Sequence, residues 1–83
     1  MKFTLTYCGN RGGLHTVKNI DGFQHGIPGE ILYHKNGKFY GVPAHVVLSI
    51  SADGETLYQW EKNTRYPAIV NIATSLARHG VLL

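Results

Sequence analysis

The stretch YCGNRGG, positions 7–13, places a lone cysteine and an arginine among three glycines. A thiolate can serve as a nucleophile, and a glycine-rich backbone can hold an anion, so the spacing of these residues decides what they could do. A Walker A loop needs a lysine after its last glycine, and a dinucleotide fingerprint needs G-x-G-x-x-G. Neither pattern occurs here, and Arg11 follows Cys8 too closely for a phosphatase-type C-x5-R loop.

The residues that follow this stretch alternate like a strand, so no helix N-terminus is present to attract an anion. We therefore interpret YCGNRGG as a glycine-rich turn between two strands, with Cys8 as a small strand residue. A weaker alternative stays open, in which Arg11, Gly12 and Gly13 form a small anion-binding nest.

The histidines are candidate metal ligands or acid–base groups, but they lie nine or more positions apart. They are His15, His25, His34, His45 and His79. No H-x-x-x-H or C-x-x-C pair occurs, so no compact ligand set is present. We expect partly exposed or backbone-bonded histidines, and we assign no metal and no cofactor.

The carboxylates give little sign of catalysis. Asp21 and Asp53 each precede a glycine and are most simply turn residues. A small hydrolase such as a ribonuclease could combine His25, Glu30 and Lys35, although their spacing does not require it. We therefore assign no catalytic residue, expect a non-enzymatic protein and keep the small hydrolase as an alternative.

The segment GEILYHKNGKFYGV, positions 29–42, contains the clearest hairpin signal. Asn36-Gly37 favours a type I′ turn, since both turn positions need a positive φ. A two-residue turn pairs Lys35 with Lys38, His34 with Phe39, Tyr33 with Tyr40 and Ile31 with Val42. Like charges that face each other in this way cost stability.

Two interpretations of this hairpin stay open. Lysines beside tyrosines could form a platform on which single-stranded nucleic acid stacks its bases and pairs its phosphates. Alternatively, Tyr33 and Tyr40 belong to the core with Ile31 and Val42, and the lysines lie solvated at the tip or protect a sheet edge.

The elements that position these residues follow from periodicity. Up to residue 62 the pattern alternates, which predicts strands at 2–8, 14–19, 45–51 and 55–62, the two strands of the hairpin within 29–42, and a loop at 19–29. We expect a three-residue loop, Ala52 to Gly54, between the last two strands, because it keeps apolar residues on one face.

After residue 64 the apolar spacing becomes helical. Ile69, Ile72, Ala73 and Leu76 share one stripe, Pro67 suits the first turn, and Gly80 can end the helix. The fold class predicted is α+β, an antiparallel five- to six-stranded β-meander packed against one C-terminal α-helix.

Length and composition restrict the class of protein. The chain has 83 residues, of which 43% are hydrophobic and 16% charged, with a net charge of +3, which indicates one small folded domain over 1–83. One cysteine excludes an intrachain disulfide. The N-terminus alternates instead of forming an apolar run, so we expect no signal peptide, no membrane segment and a cytoplasmic location.

Aromatic residues make up 11% of the chain. A single helix can cover only one face of the predicted sheet, so it cannot cover all of these rings. We therefore expect an interaction module that binds another protein, or a second copy of itself as a homodimer, through exposed rings. A single-stranded nucleic-acid partner is the alternative. The predicted partner-binding residues are Tyr33, Lys35, Lys38, Tyr40, Arg11, Trp60 and Tyr66.

Overall fold

The computed structural model describes all residues from Met1 to Leu83 and confirms the α+β class. The strands are β1 Phe3–Cys8, β2 Leu14–Ile20, β3 Gly22–His25, β4 Glu30–Lys35, β5 Lys38–Pro43, β6 Val47–Ala52 and β7 Glu55–Gln59. A short 3₁₀ turn, Ala44–Val46, precedes β6, and the helix α1 spans Ala68–Arg78. All strand pairs are antiparallel.

The strands form two sheets, whereas the sequence predicted a single meander of five to six strands. Sheet A has the order β2-β1-β6-β7, and sheet B has the order β3-β4-β5. The chain crosses between the sheets at two corners. Both corners depend on local backbone geometry, which hydrophobic alternation does not encode.

The first corner lies between β2 and β3. Asn19 adopts a positive φ of 60°, and the register of β2 against β1 shifts by one residue between the Leu5 and Phe3 pairs. This bulge bends the strand, so the Asp21 N–H already bonds to the His34 carbonyl of sheet B. Lys2 donates a hydrogen bond to Asp21 and lowers the pKa of that carboxyl.

The second corner is the 3₁₀ turn. Pro43 ends β5, and the Ala44 N–H bonds to the Gly29 carbonyl at 2.8 Å. Ala44 is buried, and β6 then begins in sheet A beside β1.

The predicted loop at 19–29 contains a strand, and this part of the prediction is wrong. β3 pairs residue by residue with β4, from Gly22 opposite His34 to His25 opposite Ile31. Only Phe23 of these four residues is buried. A strand with one buried side chain among glycines gives almost no alternation signal.

The β4–β5 hairpin has the predicted register. Asn36 and Gly37 have φ values of 53° and 77°, as a type I′ turn requires. Lys35 pairs with Lys38, Tyr33 with Tyr40 and Ile31 with Val42.

The β6–β7 connection differs from the prediction. Ala52 pairs with Glu55, so the loop has two residues, Asp53 and Gly54, both with positive φ. Thr56 then pairs with Ser51, but Tyr58 pairs with Ile50, which leaves Leu57 as an extra residue in β7. This bulge restores the apolar register that the longer loop was expected to provide, and it buries Leu57 and Tyr58 together.

The helix ends as predicted. Gly80 has a φ of 76°, its N–H bonds to the Ala77 carbonyl, and the Val81 N–H bonds to the Leu76 carbonyl at 2.9 Å. These two bonds form a Schellman motif. Val81 packs against the core, which is the hydrophobic contact that accompanies such a cap.

One core joins the two sheets and the helix. Its 15 buried residues are all apolar or aromatic, and both Ile72 and Leu76 of α1 are fully buried. Phe3 of β1 meets Phe23 of β3 edge to face, with ring centroids 5.2 Å apart. An 11-residue helix is too short to fold alone, so this packing holds it.

Candidate interaction surface

The YCGNRGG stretch forms a tight turn between β1 and β2. The Gly12 N–H bonds to the Gly9 carbonyl, the Gly9 N–H bonds to the Gly13 carbonyl, and Gly12 has a φ of 78°. These are the bonds of a three-residue hairpin loop with glycine in the left-handed position. The Gly12 N–H that a nest would offer is therefore already used, and Arg11 is exposed at the tip.

The residues considered for a hydrolase lie on β3 and β4, and they do not come together at one end of these strands. His25 and Glu30 flank the loop between β3 and β4, whereas Lys35 is at the other end of β4, five residues or roughly 16 Å along the strand. No ion pair joins any two of them. Nowhere do three His, Cys, Asp or Glu side chains come together as a metal site would require.

The inward face of the β4–β5 hairpin contributes to the core and ends in a stacked tyrosine pair. Tyr33 is buried, and its ring lies 5.1 Å from that of Tyr40, which is 44% exposed at the rim. Burial raises the pKa of Tyr33, and the nearby Tyr7 and Tyr40 raise it further. Of the two tyrosines on this hairpin, Tyr40 alone therefore offers substantial surface to a partner.

The outward face carries a second stacked pair that the sequence analysis did not select. Phe39 is 55% exposed, and its ring lies 4.7 Å from the His34 ring. The sequence contains a signal for it, because Phe39 shares its face with Gly41, which has no side chain to cover it. Phe39 and Tyr40 are consecutive residues on opposite faces, so both faces of β5 expose an aromatic ring.

The Glu30 side chain lies across the outward face of sheet B. A Cβ added to Gly26 or to Gly41 would collide with its carboxylate, so the glycine that follows β3 and the glycine on β5 provide the space that this side chain occupies. The carboxylate therefore borders β5 at Gly41, away from the lysines of the turn.

β5 is an edge strand, and the hydrogen-bond pattern shows which of its backbone groups face outward. The His34 and Glu30 carbonyls face β3 and accept hydrogen bonds from the N–H groups of Asp21 and Gly26, the residues that flank it. The odd-numbered residues of β4 therefore bond to β5, and they do so through Lys38, Tyr40 and Val42.

The remaining residues of β5 direct their backbone groups away from the sheet. They are Phe39, Gly41 and Pro43, all of which are exposed. β5 has no second neighbour. The free edge thus offers an N–H and a carbonyl from both Phe39 and Gly41, and it stops at Pro43, which has no N–H.

The hairpin lysines have no acidic partner. The structure contains one lysine–carboxylate ion pair, Lys2 with Asp21, and one contact of 3.0 Å between His79 Nδ1 and Glu55 Oε1. Lys35 and Lys38 remain opposite each other at the hairpin tip.

The other predicted partner-binding residues lie elsewhere. Trp60 is 46% exposed just after β7, and Tyr66 is 62% exposed just before α1. Tyr33, Lys35, Lys38 and Tyr40 share the β4–β5 hairpin, whereas Arg11, Trp60 and Tyr66 belong to other segments.

A polar cleft of about 180 Å³ lies between β7 and α1. Its lining includes Gln59, Glu61, Thr74 and Arg78. Asn71 on one wall donates a hydrogen bond to Thr64 at 2.6 Å, which ties the connecting segment to the helix. No buried polar side chain in the structure lacks a partner, so the cleft holds no unsatisfied group that points to a ligand.

Comparison with known proteins found no matching family model, no similar curated protein and no solved structure with significant similarity. The single helix has 11 residues, so no helix is long and apolar enough to span a bilayer.

Proposed function

We propose that this chain is a non-enzymatic interaction module that docks on a protein partner through the β4–β5 hairpin. Phe39 and Tyr40 are the central contacts, and Lys35 and Lys38 form a basic border. The observation that carries the proposal is the exposure of two consecutive aromatic residues, 55% and 44%, on opposite faces of a strand whose outer edge is unpaired.

Physical chemistry supports a protein as the partner. Aromatic residues dominate the energetics of protein interfaces, because they bury a large area and have few rotamers to lose. An unpaired strand edge adds main-chain hydrogen bonds to any extended segment that lies beside it. A monomer normally protects such an edge with inward-pointing charges or a covering loop, and here Pro43 and one lysine give the only local protection.

Single-stranded nucleic acid is a second candidate, favoured by one observation. Lys35 and Lys38 lie side by side without an acidic partner, next to the exposed Tyr40 ring. Affinity for an oligonucleotide would then fall steeply between about 50 and about 200 mM salt, whereas an aromatic protein interface would hardly change. Lys35→Glu with Lys38→Glu would abolish that binding.

The experiment is an affinity pull-down from lysate of the cells that make the protein, with and without nuclease. The bait carries a tag, and captured proteins are identified by mass, including untagged copies of the same chain. We expect capture that survives nuclease and high salt and is lost in the double variant Phe39→Ala with Tyr40→Ala.

The matched control is Trp60→Ala with Tyr66→Ala, which removes two other exposed rings and should leave capture unchanged. Capture that persists in the Phe39→Ala, Tyr40→Ala variant would refute the hairpin as the docking surface. If nuclease treatment abolishes capture, the result would instead support single-stranded nucleic acid as the partner.

A further inference from the structure

We propose that the protein partner at this edge is a second copy of the chain, and that β5 pairs with β5 of that copy around a two-fold axis. The inference rests on the proposed function, because it uses the same free edge, and it adds the identity of the partner and the register. Pairing would join the two three-stranded B sheets into one antiparallel sheet of six strands.

The hydrogen-bonding groups of the edge favour one two-fold register. Phe39 and Gly41 are the residues whose N–H and carbonyl both face outward. If Phe39 pairs with Gly41 of the second copy, the symmetry creates the same pair again, and all four N–H groups and four carbonyls of these residues are satisfied.

The neighbouring registers satisfy fewer groups. Pairing Gly41 with its own copy would place Phe39 opposite Pro43, which has no N–H to donate. Pairing Phe39 with its own copy would place Gly41 opposite Gly37, which is part of the left-handed turn and not of the strand. The position of Pro43 and of the turn therefore selects the register that has Tyr40 on the axis.

The side chains also fit this register. On the outward face, the Phe39 ring of each copy lies beside Gly41 of the other, which has no side chain of its own, and borders the Glu30 carboxylate that lies over that glycine. On the inward face, the two Tyr40 rings meet at the axis in a non-hydrogen-bonded pair, in which side chains are closest. Both exposed rings thus become covered by one contact.

The charges are compatible with a second copy because the strands run in opposite directions. Lys38 lies opposite Val42 of the second copy and diagonal to its Tyr40 ring, within reach of a cation–π contact. The two Lys38 residues are about 13 Å apart along the edge, beyond the screening length of about 8 Å at physiological salt.

The test is sedimentation equilibrium of the purified full chain over about 1 µM to about 1 mM, because one strand pair makes a small interface and a weak dimer. We expect a monomer–dimer equilibrium. Phe39→Lys should raise its dissociation constant at least about tenfold, since a charge is then placed at the centre of the contact. Val70→Lys is the matched control, because Val70 is 43% exposed on α1, and it should leave the constant unchanged.

A cross-linking experiment tests the register separately in a Cys8→Ser background. Tyr40→Cys places the two sulfurs across the axis, where Cα atoms about 4.5 Å apart permit a disulfide, so oxidation should give a covalent dimer. Lys38→Cys is the control and should not cross-link, because its copies lie too far apart.

The outcomes are distinct. A chain that stays monomeric to about 1 mM, or a dimer that Phe39→Lys does not weaken, overturns the inference. Cross-linking through position 38 but not 40 also overturns it. If the chain is monomeric while Phe39-dependent capture of another protein persists, the inference fails and the proposed function stands. If neither self-association nor capture occurs, both fail.

Discussion

Lys35 and Lys38 show how one residue pair can oppose the stability of its own hairpin. Their side chains face each other across the Asn36-Gly37 turn, and no acid neutralises either of them. Directly opposed like charges destabilise a strand pair, and opposite charges stabilise it.

We therefore expect Lys35→Glu to raise the free energy of unfolding by roughly 0.2–1 kcal/mol, because it places a carboxylate opposite Lys38. Urea denaturation at low salt measures the change. Lys38→Glu should stabilise similarly, and combining both substitutions should remove the gain. A double variant as stable as either single variant would contradict this account.

Two buried phenols make stability depend on alkaline pH. Burial raises the pKa of Tyr33 and of Tyr58 above the usual value of 10.0, with Tyr7 and Tyr40 adding to the first effect and Glu61 to the second. The folded chain therefore holds these protons more tightly than the unfolded chain does. The stability that the two protonated phenols give to the folded state is fully present below pH 10, and it is lost as the pH rises through their folded pKa values.

Consequently, the free energy of unfolding should fall as the pH rises above about 10, and Tyr33→Phe should reduce the slope of that fall. Urea titrations at several pH values measure the slope, and absorbance at alkaline pH follows phenol ionisation. Tyr66→Phe is the control, since Tyr66 is 62% exposed. An equal effect of both substitutions would show that burial of Tyr33 is not the cause.

At the scale of elements, local signals predicted some parts of the structure and long-range pairing determined the others. The β4–β5 register and the C-terminal end of α1 were predictable, because Asn36-Gly37 and Gly80 act through their own backbone conformations. The start was predicted less well, since Pro67 was expected in the first turn and is the non-helical residue that precedes Ala68. The strand β3 and the Leu57 bulge were not predictable, because each depends on the strand beside it.

The candidate surface follows the same division. Tyr40 and the lysines could be placed on the hairpin from its turn, but which strand forms the sheet edge could not be read from alternation. Phe39 was therefore missed, and Tyr33 was selected although it is buried.

The Schellman cap of α1 yields a prediction at this scale. Gly80→Ala should cost about 1–2 kcal/mol of stability, because the φ of 76° is unfavourable for any residue with a Cβ. Thermal unfolding detects the loss. Gly13→Ala, at a glycine with open space and no positive φ, should be nearly neutral. Equal effects would mean that the cap geometry is unimportant.

At the scale of the whole molecule, a small core makes the helix indispensable. The 15 buried residues include Ile72 and Leu76 of α1, and the helix packs against β7 of sheet A. Small domains have net stabilities of only about 5–15 kcal/mol, so losing one core side chain removes a large fraction.

Leu76→Ala should accordingly destabilise the domain by about 2–5 kcal/mol, through lost burial and the cavity that it leaves. Val70→Ala, on the exposed side of the same helix, should change stability by less than about 0.5 kcal/mol. Denaturant unfolding compares them. Similar losses in both variants would indicate that helix propensity, and not packing on the sheet, holds α1 in place.

The central position of β1 in sheet A has a consequence for the order of assembly during synthesis. β1 is made before the other six strands, but its neighbour β6 is the sixth strand in chain order. The three consecutive strands of sheet B can pair as soon as they are made, whereas the β1–β6 ladder must wait and must close a long loop. The first of the seven strands to be translated is therefore among the last to find all of its partners.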